Sequence, residues 1–207
     1  NELVTGTSDA PPISASDAQT GDGVGFTADV LREFLKRRGL PEKVEALSMP
    51  FSSLIPSLTG KRIDMIGDLI FYTEERAKII DYTDVVMYNP EALVVGKGNP
   101  SDLHRISDLC GKTAGSYVGT TYYDLIAKAE CETGTIEVRS YPTLDKVLAD
   151  LAVGRIDAAV VDASLASYAV RQNPALNIEL VTDYEPVDIA STSGRFAVRK
   201  GDQAFVD

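Results

Sequence analysis

Arg76 closes the segment Thr73-Glu-Glu-Arg76. A guanidinium is a planar fork that can donate two parallel hydrogen bonds to one carboxylate. From the residues alone, a surface ion pair with Glu74 or Asp81 stands ahead of that role. Gly119-Thr120-Thr121 stands directly before a helical pattern. Hydroxyls and unsatisfied backbone N–H groups suit an anion there, and equally suit an N-cap. Asp162 follows the apolar run Ala158-Ala-Val-Val161, a place for an acid facing a ligand or for a cap. Cys110 and Cys131 are the only cysteines and His104 the only histidine, too few donors for a zinc shell. The cysteines read either as two buried thiols or as one disulfide, which would contribute about 3 kcal/mol for a loop of this size. No nucleophile–base pair, metal cluster or cofactor loop stands out, so neither an enzyme nor a metal or cofactor is expected.

These residues need elements to hold them. After a strand at Leu3-Val-Thr-Gly6 and a turn-rich stretch from Ser8 to Gly25, Phe26, Val30, Leu31, Phe34 and Leu35 recur at helical spacing. Gly39 and Pro41 stop that helix. A strand over Val44 to Leu47, a short helix over Phe51 to Leu58 and a buried strand over Ile63 to Ile66 follow. The alternation restarts after Gly96-Lys-Gly-Asn-Pro100. Strands are predicted at Thr113 to Ser116, Ile136 to Tyr141 and Ala158 to Val161, and helices at Tyr122 to Ala129, Leu144 to Leu151 and Ser164 to Arg171. Pro56-Ser-Leu-Thr-Gly-Lys-Arg-Ile-Asp64 is echoed by Asp150-Leu-Ala-Val-Gly-Arg-Ile-Asp157. Two similar α/β lobes with mostly parallel sheets follow, with a ligand near the carboxyl ends of the strands.

Composition narrows the partners. Twenty basic against 31 acidic side chains leave a net charge of −11, which repels nucleic acid and anionic membrane surfaces. The apolar runs are too short to span a bilayer, and the absence of a signal-peptide pattern at the start reads either as a cytosolic protein or as a mature form whose leader is absent.

The order and spacing of several segments resemble the amino-acid branch of bacterial periplasmic solute-binding proteins (family 3), the receptors of ABC importers. They are Gly6-Thr7 with Pro11-Pro12, Gly25-Phe26 with Asp29, and Leu54-Ile-Pro-Ser-Leu58 before Gly60-Lys-Arg-Ile-Asp64. They continue with Thr73 to Arg76 before Asp81-Tyr-Thr-Asp84, Asp108-Leu-Cys-Gly-Lys112, Gly119-Thr-Thr121, and Gly154 to Ala158 ending at Asp162. The resemblance implies the type II periplasmic binding fold, two Rossmann-like lobes joined by a two-strand hinge. Lobe 1 is expected over 1–94 plus 187–207 and lobe 2 over 95–186, with hinge strands near Ala92 to Val95 and Pro186 to Ala190. It also implies a monomeric, periplasmic or otherwise exported receptor that passes an amino-acid-like zwitterion to an ABC permease. It favours the Cys110–Cys131 disulfide, confined to lobe 2.

By the same resemblance Arg76 grips the ligand carboxylate, Gly119, Thr120 and Thr121 meet that carboxylate from the opposite lobe, and Asp162 holds the ammonium. Arg76 and Asp162 are expected to face water when no ligand is bound. The chain departs from the family at several places. Ala10 precedes the double proline where an aromatic is usual, and Asp68, Leu69 and Phe71 replace small residues. Phe71 is expected to offer its backbone N–H and a stacking ring. Asp68 reads either as a negative charge favouring a cationic ligand or as a solvent-facing acid. Phe51, Tyr72, Tyr88, Tyr117 and Tyr122 are candidate walls, most of them expected to be packing aromatics. The family usually continues beyond Gly201 with one or two helices, so this chain reads as truncated. Two alternatives share the scaffold: a cyclohexadienyl-dehydratase-like enzyme with Asp68 or Glu185 as proton donor, and the sensing domain of a membrane receptor.

Overall fold

The computed structural model describes residues 3–187 and 192–202. The chain divides into two units, Asn1–Tyr88 with Ala190–Asp207, and Asn89–Ile189. The first unit runs through β1 (Leu3–Thr7), β2 (Ala15–Ser16), β3 (Gly23–Val24), α1 (Phe26–Arg37) and β4 (Val44–Ser48). It goes on with α2 (Leu54–Thr59), β5 (Met65–Phe71), α3 (Glu74–Ala77), β6 (Ile80–Tyr82) and β7 (Met87–Tyr88). The second unit holds β8 (Glu91–Gly96), β9 (Thr113–Tyr117), α4 (Thr121–Ala127), β10 (Glu137–Tyr141) and α5 (Leu144–Ala152). It closes with β11 (Ala158–Asp162), α6 (Ala163–Gln172) and β12 (Ile178–Leu180), after which β13 (Ser193–Arg199) belongs to the first unit.

The main sheet of the first unit has the order β4-β1-β5-β13-β6, with β7 also on β13. That of the second has the order β10-β9-β11-β8-β12. In each, three strands run parallel and the fourth in the order, β13 or β8, is antiparallel to its neighbours. Helices must cover both faces of such a sheet, so its strands bury side chains on both sides. In β5, Met65 joins Leu31, Leu35, Val44 and Phe196 on one face, while Ile66 and Ile70 join Leu54, Leu58 and Ile80 on the other. The alternation is the period-two geometry of a strand.

The echoed Ile-Asp segments do the same work in both sheets. A Cβ on Gly6 of β1 would lie 2.6 Å from Ile63 Cδ1, and one on Gly115 of β9 would lie 2.8 Å from Ile156 Cδ1. Each isoleucine therefore packs flat on bare backbone. The next residue clamps the same strand: the Val4 N–H donates to Asp64 Oδ2 at 3.2 Å, and the Thr113 N–H donates to Asp157 Oδ2 at 2.9 Å.

The structure shifts some expectations. The strand expected at Ile63 to Ile66 begins at Met65 and runs to Phe71, because Ile63 and Asp64 are spent on packing and clamping. On α1 the buried residues are Thr27, Ala28, Leu31 and Leu35. Phe26 and Phe34 are exposed, with the Arg38 guanidinium 5.3 Å from the Phe34 ring centre. The stretch Ala92 to Val95 lies inside β8, buried in the second unit's sheet. Of the other expected hinge stretch, residues 188–190 lie outside the described residues. Cys110 and Cys131 form a disulfide within the second unit, with Cα atoms 5.7 Å apart, joining the entry of β9 to the segment after α4. Among the described residues no helix is long and apolar enough to cross a membrane.

Candidate functional site

In the first unit the predicted residues collect where β5 ends. Thr73 caps α3, accepting from the Arg76 N–H at 3.1 Å, which turns the chain sharply after the strand. The same turn brings Arg76 Nη1 to the Phe71 carbonyl at 2.8 Å. The Arg76 guanidinium carbon lies 5.8 Å from the centre of the Phe51 ring, in cation–π range. Half-buried Arg76 is therefore positioned by the turn between β5 and α3 and by Phe51. Asp81, one of the acids considered for a surface pair, takes Lys200 at 2.6 Å.

Phe71 is buried, and its carbonyl also accepts from the Tyr82 hydroxyl at 3.3 Å. Leu69 is half-buried against β13, where a Cβ on Gly194 would come within 2.9 Å of its Cβ. Asp68 is only 4% exposed, not a solvent-facing acid. Its Oδ2 accepts from the Ser8 N–H at 3.0 Å and from the Ser8 hydroxyl, while Oδ1 has no partner among the described residues. Burial holds the Asp68 pKa above the ordinary carboxylate value, against the lowering effect of hydroxyl and backbone donors from Ser8, Ser14 and Thr7.

In the second unit, Gly119 has φ +88°, a left-handed turn that delivers Thr120 to the start of α4. Thr120 is the N-cap: its hydroxyl oxygen accepts from the Tyr123 N–H at 3.3 Å and its hydroxyl donates to the Tyr117 carbonyl at 2.8 Å. Thr121, half-buried, opens the helix.

Asp162 ends β11 and stands at the N-cap position of α6 without capping it. It is buried, which corrects the expectation that it faces water. Three neutral donors from different elements converge on it. Asn89 Nδ2 donates to Oδ1 at 2.9 Å, the Tyr122 hydroxyl to Oδ1 at 3.0 Å, and the Tyr117 hydroxyl to Oδ2. Burial, then the Asp162 charge, push the Tyr122 hydroxyl well above its usual pKa, so it stays protonated and donating. Sequence reading placed Tyr117 and Tyr122 among walls or packing aromatics and did not name Asn89. Their spacing of 45, 40 and 73 residues from Asp162 carries no local signal.

Glu91 was also missed. It faces Asp162 across the β8–β11 pair, is buried, and accepts from the Tyr184 hydroxyl at 3.1 Å and the Val187 N–H at 2.7 Å. An acid at the head of the apolar run Glu91-Ala-Leu-Val-Val was the available sign. Glu185, one of the two proton-donor candidates, is exposed. His104 sits on the surface between Asp102 and Asp183, at 2.9 and 2.8 Å. No group of three or more His, Cys, Asp or Glu among the described residues is arranged to hold a metal ion.

Known proteins bear on this arrangement. The chain is 34% identical over 164 residues to the lysine/arginine/ornithine-binding periplasmic protein of Escherichia coli, covering 79% of this chain and 61% of that relative. It is 35% identical, over the same shares, to the histidine-binding periplasmic protein of Salmonella typhimurium. The chain thus spans about three fifths of the length of these curated relatives. A solved ancestral arginine-binding protein, bound to arginine, matches with a TM-score of 0.84 and 30% identity, covering 99% of this chain and 87% of that one. The fold is that of the two-lobed type II periplasmic binding proteins. Residues 3–207 match the family described as bacterial extracellular solute-binding proteins, family 3, and the chain belongs to that family.

Proposed function

We propose that this chain is an exported receptor that captures an amino acid, or a molecule with the same charge pattern, and passes it to an ABC importer. It acts as a monomer with the importer's permease as partner, and without metal or cofactor. In this reading Arg76 and the Gly119-Thr120-Thr121 turn receive the ligand carboxylate, and Asp162 receives the ammonium, as the lobes close on the ligand. Leu69 and Phe71 form the wall around it.

The observation that carries the reading is the way Arg76 is held. A guanidinium steered by the Phe71 carbonyl and backed by Phe51 has lost much of its rotamer freedom before any ligand arrives. Binding a carboxylate then orders little more of the protein, which is the gain from preorganisation. Asp162 fits the second role because it is an acid at the carboxyl end of β11, where Asn89, Tyr117 and Tyr122 donate to it and fix its position. The relatives' names support an amino acid, since they give lysine, arginine, ornithine and histidine. The enzyme alternative has less support, because the curated relatives are binding proteins.

The test is a thermal-shift screen across amino acids, opines, betaines and polyamines, followed by calorimetry on the best ligand. A bound ligand raises the melting temperature by mass action. Arg76→Ala should weaken binding by at least about 2 kcal/mol, roughly thirtyfold, and Arg76→Lys should recover little because a point charge lacks the fork. Equal affinity in Arg76→Ala and the parent would remove the carboxylate from this place, and the amino-acid reading with it.

A further inference from the structure

Asp68 is a buried acid that the assigned roles leave unused. It lies on β5 three residues before Phe71, beside the end of β1, where the carboxyl ends of parallel strands place ligands in open α/β sheets. One carboxyl oxygen holds Ser8 through its N–H and its hydroxyl. The other is buried and has no partner among the described residues. No Lys or Arg among them forms an ion pair with it; the groups around it are the hydroxyls of Thr7, Ser8 and Ser14, with Ser14 donating to Thr7 at 2.8 Å.

Tying Ser8 to β5 does not require a charge. An asparagine at position 68 would accept the same bonds without taking a carboxylate out of water with no counter-charge to meet it. An acid with one oxygen committed and one unanswered is arranged for a positive group from outside the protein. In the reading above, the ligand's carboxylate and α-ammonium already have Arg76 and Asp162. The remaining positive charge would be on the ligand's side chain.

We infer that Asp68 is a specificity-determining residue that receives the cationic side chain of the ligand, so that this receptor selects dibasic amino acids over neutral and acidic ones. The inference rests on the amino-acid reading of Arg76 and Asp162. It locates the selection on β5 within the first unit, at the unpaired Oδ1. Desolvation supports it, because a buried carboxyl that ionises reluctantly gains most from a cation brought to it. A neutral side chain at the same place would leave the acid as costly as before, and an acidic one would add repulsion, so selection works by penalty as well as by attraction.

The experiment is calorimetric titration of L-arginine, L-lysine, L-glutamine, L-leucine and L-glutamate into the parent, Asp68→Asn and Arg76→Ala, each checked for a cooperative melt. Asn keeps the acceptor for Ser8 and removes the charge, so Asp68→Asn should remain folded. The parent should bind arginine or lysine at least tenfold tighter than glutamine. Asp68→Asn should lose at least tenfold for the basic ligands and change glutamine by less than about threefold, so that the preference collapses. Arg76→Ala should weaken every ligand alike. A parent that prefers a neutral amino acid, or an Asp68→Asn variant that still prefers the basic ones, overturns the inference and leaves the amino-acid reading standing. Failure of all five ligands to bind the parent overturns the inference, and the wider thermal-shift screen then decides the reading it rests on. Should Asp68→Asn melt without cooperativity, the ranking of the five ligands by the parent decides alone.

Discussion

Asp162 is held inside the second unit by donors from Asn89, Tyr117 and Tyr122. Removing the carboxylate takes one acceptor from each of the three, although the Tyr122 hydroxyl keeps the Asn89 carbonyl at 3.1 Å, and a buried polar group that loses its partner costs about 1–3 kcal/mol. Asp162→Ala should therefore lower the stability of the ligand-free protein by about 2 kcal/mol, a fall of roughly 4–8 °C in melting temperature for a chain of this size. Asp162→Asn, which keeps one acceptor, should fall by less. Scanning calorimetry without ligand checks this, and an unchanged Asp162→Ala melting temperature would mean that the network contributes nothing to folding. Arg76 differs. It is half-buried on the short helix α3, and its alanine variant should stay close to the parent in the same measurement. This contrast shows how far the site was legible. Arg76, Thr120 and Asp162 are candidates that short segments mark only through their resemblance to the family. What holds Asp162 could not be named, because tyrosines 40 and 45 residues away reach it only through the fold.

The legible elements were those with a repeating apolar pattern or an internal echo. β4, β9, β10 and β11 and the helices α4, α5 and α6 lie within a residue or two of their predicted positions. Strands of two or three residues, such as β2, β3, β6, β7 and β12, are too short to show a period and were not predicted. The echo around Ile63-Asp64 and Ile156-Asp157 proves to be a joint. Each isoleucine covers a glycine in the unit's first parallel strand, and each aspartate binds that strand's backbone. A charged acceptor on a backbone N–H is stronger than a neutral one, but Asp157 is partly exposed, which cuts its worth to about 1 kcal/mol. Asp157→Ala should lower the stability by that amount, read as a fall of about 0.3–1 M in the urea midpoint with the slope unchanged, since no less surface is buried in the native state. A changed slope would show instead that β9 has come loose from the sheet.

At the scale of the whole chain, the two units differ in how they are assembled from sequence. The second is one continuous stretch, Asn89–Ile189, containing every strand of its sheet and its disulfide. The first is built from two stretches, and the late one supplies β13, which pairs with β5, β6 and β7. Without β13 the sheet keeps only β4, β1 and β5. Phe196, Ala197 and Val198 vanish from the two cores that cover its faces. Losing three buried residues and a central strand exceeds the 5–15 kcal/mol margin on which a domain typically stands. A polypeptide of residues 89–189 should therefore show a cooperative thermal transition by circular dichroism on its own, with its disulfide formed. Residues 1–88 alone should show none. Adding a peptide of residues 190–207 to that fragment should restore structure only at concentrations high enough to offset the entropy of association. A cooperative melt from residues 1–88 without the peptide would mean that β13 is an accessory strand, and that the first unit folds before the second is made.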